Sequence, residues 1–482
     1  MNLEIPAYVQ KVMELLRSHG FEAYVVGGAV RDLLLGRTPD DYDVVTNARP
    51  DEIQLLAEKA QIPVVRDLGQ NFGVVILVSD RMAVEVASYR NETYGSADAH
   101  RPAEVWYCET LEEDLGRRDF TINALALDQQ GNIIDYYDGL SDLRGRVLRT
   151  VGNANKRFQE DALRMFRVCR FVAQLGFTPD EKILPAIQAN LARTEGLSLE
   201  RVRTELNKTL CGTYAGRGMD LMVRSGLAAE SCRVRHGGTW SQVPILPELL
   251  DLVGVEQNPL YHRYDVWNHT AAALDQGDRT LPVGWAILLH DIAKGREGVR
   301  GINKEGQPCD YGHEVVGAKM AHAILARLQL PGKLADRVAW LVKNHMHFGF
   351  AMAQTDAQTW RWLRKEARSG HFRLNKEMAE AFKQLTALCT ADVAAANAGQ
   401  TDIIHAQMYG KRLVSMAYLM PVHTSDLNFT GWDALKAGAQ PKQLRELMPV
   451  LLQRVQDLKL ENEPEALEQA AKNWVIRQKN KK

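Results

Sequence analysis

Tyr24-Val25-Val26-Gly27-Gly28-Ala29-Val30-Arg31-Asp32, followed shortly by Asp41-Tyr42-Asp43-Val44-Val45-Thr46, is the stretch that decides the fold. The first segment reads as a strand, a tight turn and the start of a helix, because two glycines let backbone amides approach an anion closely. The second enters another strand, on which residues two apart share a face, so Asp41 and Asp43 project together. Two such carboxylates repel each other unless a cation bridges them, which one or two Mg²⁺ ions bound to a triphosphate would do. Outward from this stretch, apolar runs at residues 62–65, 74–78 and 82–87 alternate with helical stretches and turns, so residues 21–90 read as a small α/β unit. On the last run Val84 and Val86 take one face and Ala83, Glu85 and Ala87 the other. Glu85 is either an exposed edge glutamate or the third carboxylate of a two-metal nucleotidyl-transfer site.

At 482 residues the chain is too long for a single core, and three or four domains of roughly 100–150 residues are expected. With 45% hydrophobic and 25% charged residues it has the composition of a globular protein, and no run of about 18 apolar residues suggests a membrane span. Glu4 stands where a secretory leader would be apolar, which predicts a cytoplasmic protein. Six cysteines without C-x-x-C spacing argue against a disulfide framework and a zinc knuckle. The net charge of −1 does not announce a nucleic-acid binder, but residues 151–240 hold 14 Lys or Arg against 9 Asp or Glu. Residues 470–482 hold five basic residues and no acid. These stretches suit a phosphate backbone or, equally, a solvated helix face.

Beyond residue 158 the period lengthens to that of helices, and this character holds to the C-terminus with breaks near 236–247 and 258–259. Residues 300–312 carry Gly and Pro and read as a loop over a site. Residues 158–173 read as one helix, with Arg157, Glu160, Arg164 and Arg167 within about 120° on one side and Phe166, Cys169 and Ala173 opposite. Taken alone, Glu160 and Arg164 would be a surface i,i+4 pair of about 0.2–0.5 kcal/mol.

Four motifs in order carry a family resemblance over about the first 230 residues: Gly27-Gly28-x-x-Arg31-Asp32, Asp41-x-Asp43, Arg117-Arg118-Asp119-Phe120-Thr121-x-Asn123-Ala124 and Glu160-Asp161-x-x-Arg164. The sequence resembles the class II tRNA nucleotidyltransferases (CCA-adding enzymes) and bacterial poly(A) polymerases. The resemblance implies an α+β chain: a polymerase-β-like head followed by an all-α neck and body. It implies transfer of CMP and AMP from CTP and ATP to tRNA 3′ ends. Asp41, Asp43 and Glu85 would be catalytic, with Asp41 and Asp43 holding Mg²⁺. Gly27, Gly28, Arg31, Arg117, Arg118 and Asn123 would bind triphosphate and ribose; an interdomain salt-bridge cluster is the structural alternative for Arg117, Arg118 and Asn123, whose segment, with Asp119 and Phe120, is expected to turn from strand to helix. Glu160, Asp161, Arg164 and Arg167 would lie where the incoming base is read. There a carboxylate accepts from the exocyclic amino group of cytosine or adenine, while a guanidinium donates to the adjacent ring atom. Uracil and guanine present a carbonyl instead and leave polar groups unpaired, which can discriminate by roughly 10⁴–10⁵. Residues 91–101 correspond to the family's flexible loop, which favours a full CCA adder or an A-adder over a two-cytidine enzyme. Asp426-Leu427-Asn428-Phe429-Thr430-Gly431 and the helices after Pro441 resemble the family's RNA-binding tail.

A second resemblance begins at Trp285-Ala286-Ile287-Leu288-Leu289-His290-Asp291-Ile292-Ala293-Lys294-Gly295, an apolar helix ending in polar residues. It looks like the HD phosphohydrolase superfamily, which implies His269, His290, Asp291 and Asp392 as one mixed N/O site. Such a donor set suits Mn²⁺, Ni²⁺, Co²⁺ or Mg²⁺ rather than a thiolate-bound zinc. His313 and His345 are either ligands of a second metal or satisfied surface histidines, and Lys294 is a candidate phosphate contact. The implied activity is a phosphatase or 2′,3′-cyclic phosphodiesterase; the rival reading is a domain that only supports tRNA. The expected domains are head 1–150, neck and body 151–240, HD domain 257–400 and a helical tRNA-binding tail 401–482. Alternatives are an A-adding enzyme, a poly(A) polymerase, or an HD phosphohydrolase behind an inactive RNA-binding head.

Overall fold

In the computed structural model, residues 3–65, 73–94 and 102–480 are described. They form two compact units, Met1–Leu250 and Asp251–Lys482.

The first unit is built on strands β1 (Tyr24–Val26), β2 (Asp43–Thr46), β3 (Val64–Val65), β4 (Val74–Ser79), β5 (Met82–Ser88), β6 (Arg90–Tyr94), β7 (Pro102–Tyr107), β8 (Leu125–Leu127) and β9 (Ile133–Asp135). Seven of them make one sheet in the order β3-β4-β5-β2-β1-β8-β9, and β6 pairs with β7 in a separate hairpin. The pair β2 and β5 runs parallel, whereas β1 is antiparallel to both β2 and β8. Alternation decides which face is covered. Val44, Val75, Leu77, Val84 and Val86 pack under Val9, Met13 and Leu16 of helix Ala7–Arg17 and Ile53 of helix Pro50–Lys59. Val26, Val45 and Ala126 face the other way, into a second cluster with Leu111 and Leu115. Asp43 and Glu85 share that second face, because each precedes a core valine by one residue. The five expected apolar runs all form strands.

Three expectations need correction. Asp41 lies outside the strand, which begins at Asp43. The Arg117–Asn123 segment passes from helix to strand, not strand to helix: it leaves helix Leu111–Gly116, makes a 3₁₀ turn at Thr121–Asn123 and enters β8. That helix is capped at its start, where Thr110 accepts the Glu113 N–H and Glu112, Glu113 and Asp114 fill the first turn. Residues 158–173 are not one helix either, since Ala154–Glu160 and Leu163–Leu175 are separated at Asp161, whose backbone is extended. Asp161 Oδ1 accepts the Leu163 N–H at 3.0 Å and so starts the second helix.

Further helices, Ile183–Gln188, Leu199–Leu210 and Ala215–Arg224, complete the helical part of this unit. The break expected after residue 236 is the tip of a β-hairpin, Ser231–His236 against Thr239–Pro244. Gly237 and Gly238 both take positive φ at its tip, as a two-residue hairpin turn demands.

The second unit is helical except for a hairpin, Arg300–Ile302 with Pro308–Asp310, where a loop was expected. Helices Val266–Gln276, Leu281–Leu289, His313–Arg327, Gly332–Ala351 and Asn375–Ala395 carry or border the clustered histidines. Leu427, Phe429, Leu447, Leu451, Leu467 and Val475 form a separate small core at the C-terminal end. No helix among the described residues is long and apolar enough to cross a membrane.

Candidate functional site

The diglycine turn closes β1. Gly27 has φ 75°, a conformation that L side chains rarely adopt, and a Cβ there would stand 2.9 Å from Arg118 Nη1. Asp43 lies level with Val26 on one side and Glu85 on the other, so the turn and both carboxylates meet at one end of the sheet. Burial raises the Asp43 carboxyl to about 6, with Asp41 and Glu85 adding to the rise and Arg118 opposing it. A carboxylate kept that close to neutral by its neighbours is the repulsion a bound cation relieves.

Beside them opens a cleft of about 640 Å³ whose walls carry nine Arg or Lys side chains against four Asp. Gly27, Gly28, Asp41 and Asp43 line it, as do Arg31, Arg117, Arg118, Asn123, Asp161, Arg164 and Arg167. Glu85 and Glu160 are not in its wall, although Glu160 binds Arg164 there. The cleft is braced by a continuous relay. Arg31 grips Asp32 with Nε and Nη2 at 2.9 Å each and donates through Nη1 to Asn123 at 2.7 Å. Asn123 Nδ2 donates to Asp119 at 3.0 Å, and Arg167 Nε donates to the other Asp119 oxygen at 2.7 Å. Burial alone would raise Asp119, but Arg167 and Asn123 outweigh it and hold its carboxyl at about 2.

Arg117 and Arg118 both pair with the buried Asp114, at 2.9 and 3.4 Å. These pairs are local, three and four residues apart, where an interdomain cluster was the alternative, and the same two arginines face the cleft. Arg164 is only 8% exposed, so its pair with Glu160, 2.7 Å long, is no surface pair. It also donates to the Arg157 and Arg117 carbonyls at 3.2 and 2.8 Å. Asp161 is pinned by the Leu163 N–H on one oxygen and by Arg201 Nη2, 3.1 Å away, on the other. Each oxygen keeps a lone pair for a ligand.

Sequence reading missed Asp114, Arg170, Phe171, Arg201 and Lys208. The guanidinium of Arg170 lies 4.1 Å from the Phe171 ring centre, with those of Arg31 and Arg167 at 5.3 and 5.6 Å. The signal was present for two of them: Arg201 and Lys208 are seven apart, on one helix face. Of residues 91–101, expected to be a flexible loop, 91–94 belong to strand β6 and 95–101 lie outside the described residues, with β7 following.

The second constellation lies wholly in the second unit. His269, His290 and Asp392 offer ligand atoms within 4.8 Å of one another, and so do Asp291, His313 and His345. Asp291 stands between the two groups: Oδ2 is 3.2 Å from His290 Nε2 and Oδ1 is 3.3 Å from His313 Nε2. His290, His313 and His345 each place Nδ1 2.6–2.7 Å from the carbonyl three residues earlier. That contact orients each ring with Nε2 toward the cluster, as metal-bound imidazoles are oriented. Both Asp291 oxygens and His290 Nε2 are buried without a well-directed hydrogen bond, although Lys294 Nζ is 2.7 Å from Oδ2. Converging buried lone pairs of this kind fit divalent cations. Burial opposes ionisation of Asp291, yet His290 and Lys294 hold it well below the usual carboxylate range. Burial, aided by His290 and His313, lowers His345 to about 3, so it stays neutral and free to ligate. His313 and His345 are buried, which removes the surface-histidine alternative. His262, not singled out from the sequence, packs edge-on against His269 at 4.9 Å.

Comparison with known proteins gives the same division. Residues 23–149 match the family described as the Poly A polymerase head domain, residues 176–231 the one described as "Probable RNA and SrmB- binding site of polymerase A", and residues 260–389 the HD domain. The CCA-adding enzyme of Geobacillus thermodenitrificans is 43% identical over 230 residues, 48% of this chain and 55% of that protein. That of Lactobacillus delbrueckii subsp. bulgaricus is 41% identical over 246 residues, 51% and 60% of the two chains. The chain therefore spans about half the length of the curated relatives it matches. A crystal structure of the Bacillus stearothermophilus CCA-adding enzyme in complex with CTP is similar over 98% of both chains, with a TM-score of 0.62 at 26% identity. Along the chain, then, a match to a poly(A) polymerase head and its RNA-binding region comes first and a match to an HD domain follows.

Proposed function

We propose that the first unit adds CMP and AMP from CTP and ATP to the 3′ end of tRNA, rebuilding a CCA terminus without a nucleic-acid template. One observation carries this reading: Asp43, in register with Glu85 at the end of the sheet, opens together with Asp41 onto a cleft with nine cationic side chains. Repelling carboxylates beside a cationic wall suit a triphosphate with its metal ions. The relatives' name and the CTP bound by the solved neighbour support it further. Asp41 and Asp43 would hold Mg²⁺, with Glu85 as the third catalytic carboxylate, and the metal when bound would activate the attacking hydroxyl and stabilise the leaving pyrophosphate. Arg31, Arg117, Arg118 and Asn123, with Gly27 and Gly28, would orient triphosphate and ribose. Asp161, held by Arg201, would accept from the base's amino group, with Arg164 as donor and Arg167 and Glu160 bracing them. In this reading residues 1–150 are the head, 151–240 the neck and body, 257–400 the HD domain and 401–482 the tail, in a cytoplasmic enzyme.

The second unit is proposed to be a phosphohydrolase acting on phosphate esters or 2′,3′-cyclic phosphates. Two divalent ions, Mn²⁺, Ni²⁺, Co²⁺ or Mg²⁺, would be held by these side chains and would supply Lewis acidity toward the phosphate. Asp291 would bridge His269, His290 and Asp392 to His313 and His345. Lys294 would neutralise the phosphate.

The deciding experiment incubates the protein with tRNA lacking CCA, tRNA ending in CC and an unrelated RNA, each with CTP, ATP or both. CCA addition requires ordered C, C and A on the first substrate and A alone on the second. Addition of A only, or extension of any RNA, would assign an A-adding enzyme or a poly(A) polymerase instead. Asp43→Ala should abolish incorporation of both nucleotides, and a variant retaining a tenth of the rate would refute the two-metal site.

A further inference from the structure

We propose that the β-hairpin of residues 231–244 is a stacking platform that binds the RNA substrate outside the catalytic cleft, with Trp240 receiving an unpaired base. The hairpin has two unlike faces. Cys232 and Val234 are buried against the body, whereas Arg233, Arg235, Trp240 and Gln242 share the outer face, Arg235 directly opposite Trp240 and Arg233 opposite Gln242. Trp240 keeps 52% of its surface exposed, so part of the indole is open to a ligand. The Arg233 and Arg235 guanidiniums lie 4.5 and 6.0 Å from the ring centre, which presents the indole between two cations. Residues 231–244 contain no Asp or Glu; Glu230 and Glu195 lie at its base, the latter giving only its backbone carbonyl to Gln242. An aromatic plane flanked by cations is the chemistry that holds single-stranded nucleic acid, where bases stack and phosphates pair with arginine.

Its position suits the substrate of the proposed reaction, on whose reading this inference rests. The Arg233 N–H donates to the Leu197 carbonyl at 2.8 Å, and Arg233 bridges Ser198. Helix Leu199–Leu210 starts at that point, and within its first turn Arg201 lines the cleft. RNA leaving the cleft along this helix end reaches the hairpin.

The test uses the full chain and a tRNA transcript lacking its CCA, with affinity measured directly at two salt concentrations and nucleotide addition measured at saturating RNA. Trp240→Ala should weaken RNA binding about tenfold, while Trp240→Phe, which keeps a stacking ring, should stay within about threefold. Arg235→Ala should weaken binding and flatten its salt dependence. The addition rate at saturating RNA should not change. Wild-type affinity in Trp240→Ala overturns the proposal and leaves the indole to a protein partner. Equal losses in the Ala and Phe variants, with a lower addition rate, make the role structural and also overturn it. If the unaltered protein binds RNA through Trp240 but extends no tRNA, the platform stands and the transferase reading falls.

Discussion

Asp119 shows how one side chain couples charge, stability and site. It is buried, bonded to Asn123 and Arg167, and carries the relay that positions Arg31. Its carboxyl sits at about 2 in the folded protein against an ordinary 3.8. A depressed folded pKa contributes stability that is fully present above the unfolded value and is lost as pH falls through the folded one. About two units correspond to roughly 2–3 kcal/mol, disappearing between about pH 4 and pH 2. The thermal midpoint of the first unit should therefore drop through that window, and Asp119→Asn should remove the dependence while lowering stability at neutral pH, because Arg167 loses its partner. A midpoint whose acid dependence survives the substitution would show that another group is responsible. Arg164 separates two roles in a similar way. Arg164→Ala removes a donor from the Arg157 and Arg117 carbonyls and leaves Glu160 only Arg157 as its partner, which costs about 1–3 kcal/mol. If it also reads the base, preference for CTP or ATP over UTP or GTP in kcat/KM should fall about 10- to 100-fold. Lost stability with intact discrimination would confine Arg164 to bracing.

At the scale of elements, legibility followed local chemistry. The five strands of residues 24–88 were readable because apolar alternation and Gly or Asp turns act within a few residues. The split at Asp161 was not: periodicity runs through it, and only the side chain's capture of the Leu163 N–H shows that the helix restarts there. Hairpin 231–244 carried a readable Gly237-Gly238 turn, but its strands hold too few apolar residues to register as strands. Cleft residues such as Arg201 and Lys208 share a readable helix face, but that helix lies far from the motifs in sequence, so spacing marks a basic face without assigning it to the site. Gly27 tests whether the turn matters as an element. Gly27→Ala forces an L side chain into φ 75°, at a cost of about 1–2 kcal/mol, and drives Cβ against Arg118. The variant should fold and bind RNA normally, yet show a KM for CTP raised about tenfold or more, since the displaced guanidinium faces the triphosphate site. Unchanged nucleotide KM would mean the turn serves folding alone.

For the whole molecule the question is whether one chain holds two separable chemistries. The carboxylates and cations of the cleft all lie in the first unit, and both three-ligand clusters lie in the second. No residue belongs to both. His290→Ala should therefore abolish phosphohydrolase activity and leave nucleotide addition unchanged. The variant removes a ligand facing both Asp291 and Asp392, at 3.2 and 3.8 Å, so bound divalent metal should fall as well. His313→Ala removes a ligand from the other group only, so it should lower the metal content from two ions per chain to one. Folding can be monitored independently, because Asp291 would keep Lys294 as its partner when a histidine is lost. If His290→Ala destroys addition in a protein whose helices and thermal midpoint are intact, the HD unit takes part in the transferase reaction. If instead metal is lost and neither activity changes, the unit serves to bind rather than to hydrolyse, and the phosphohydrolase proposal falls while the transferase stands.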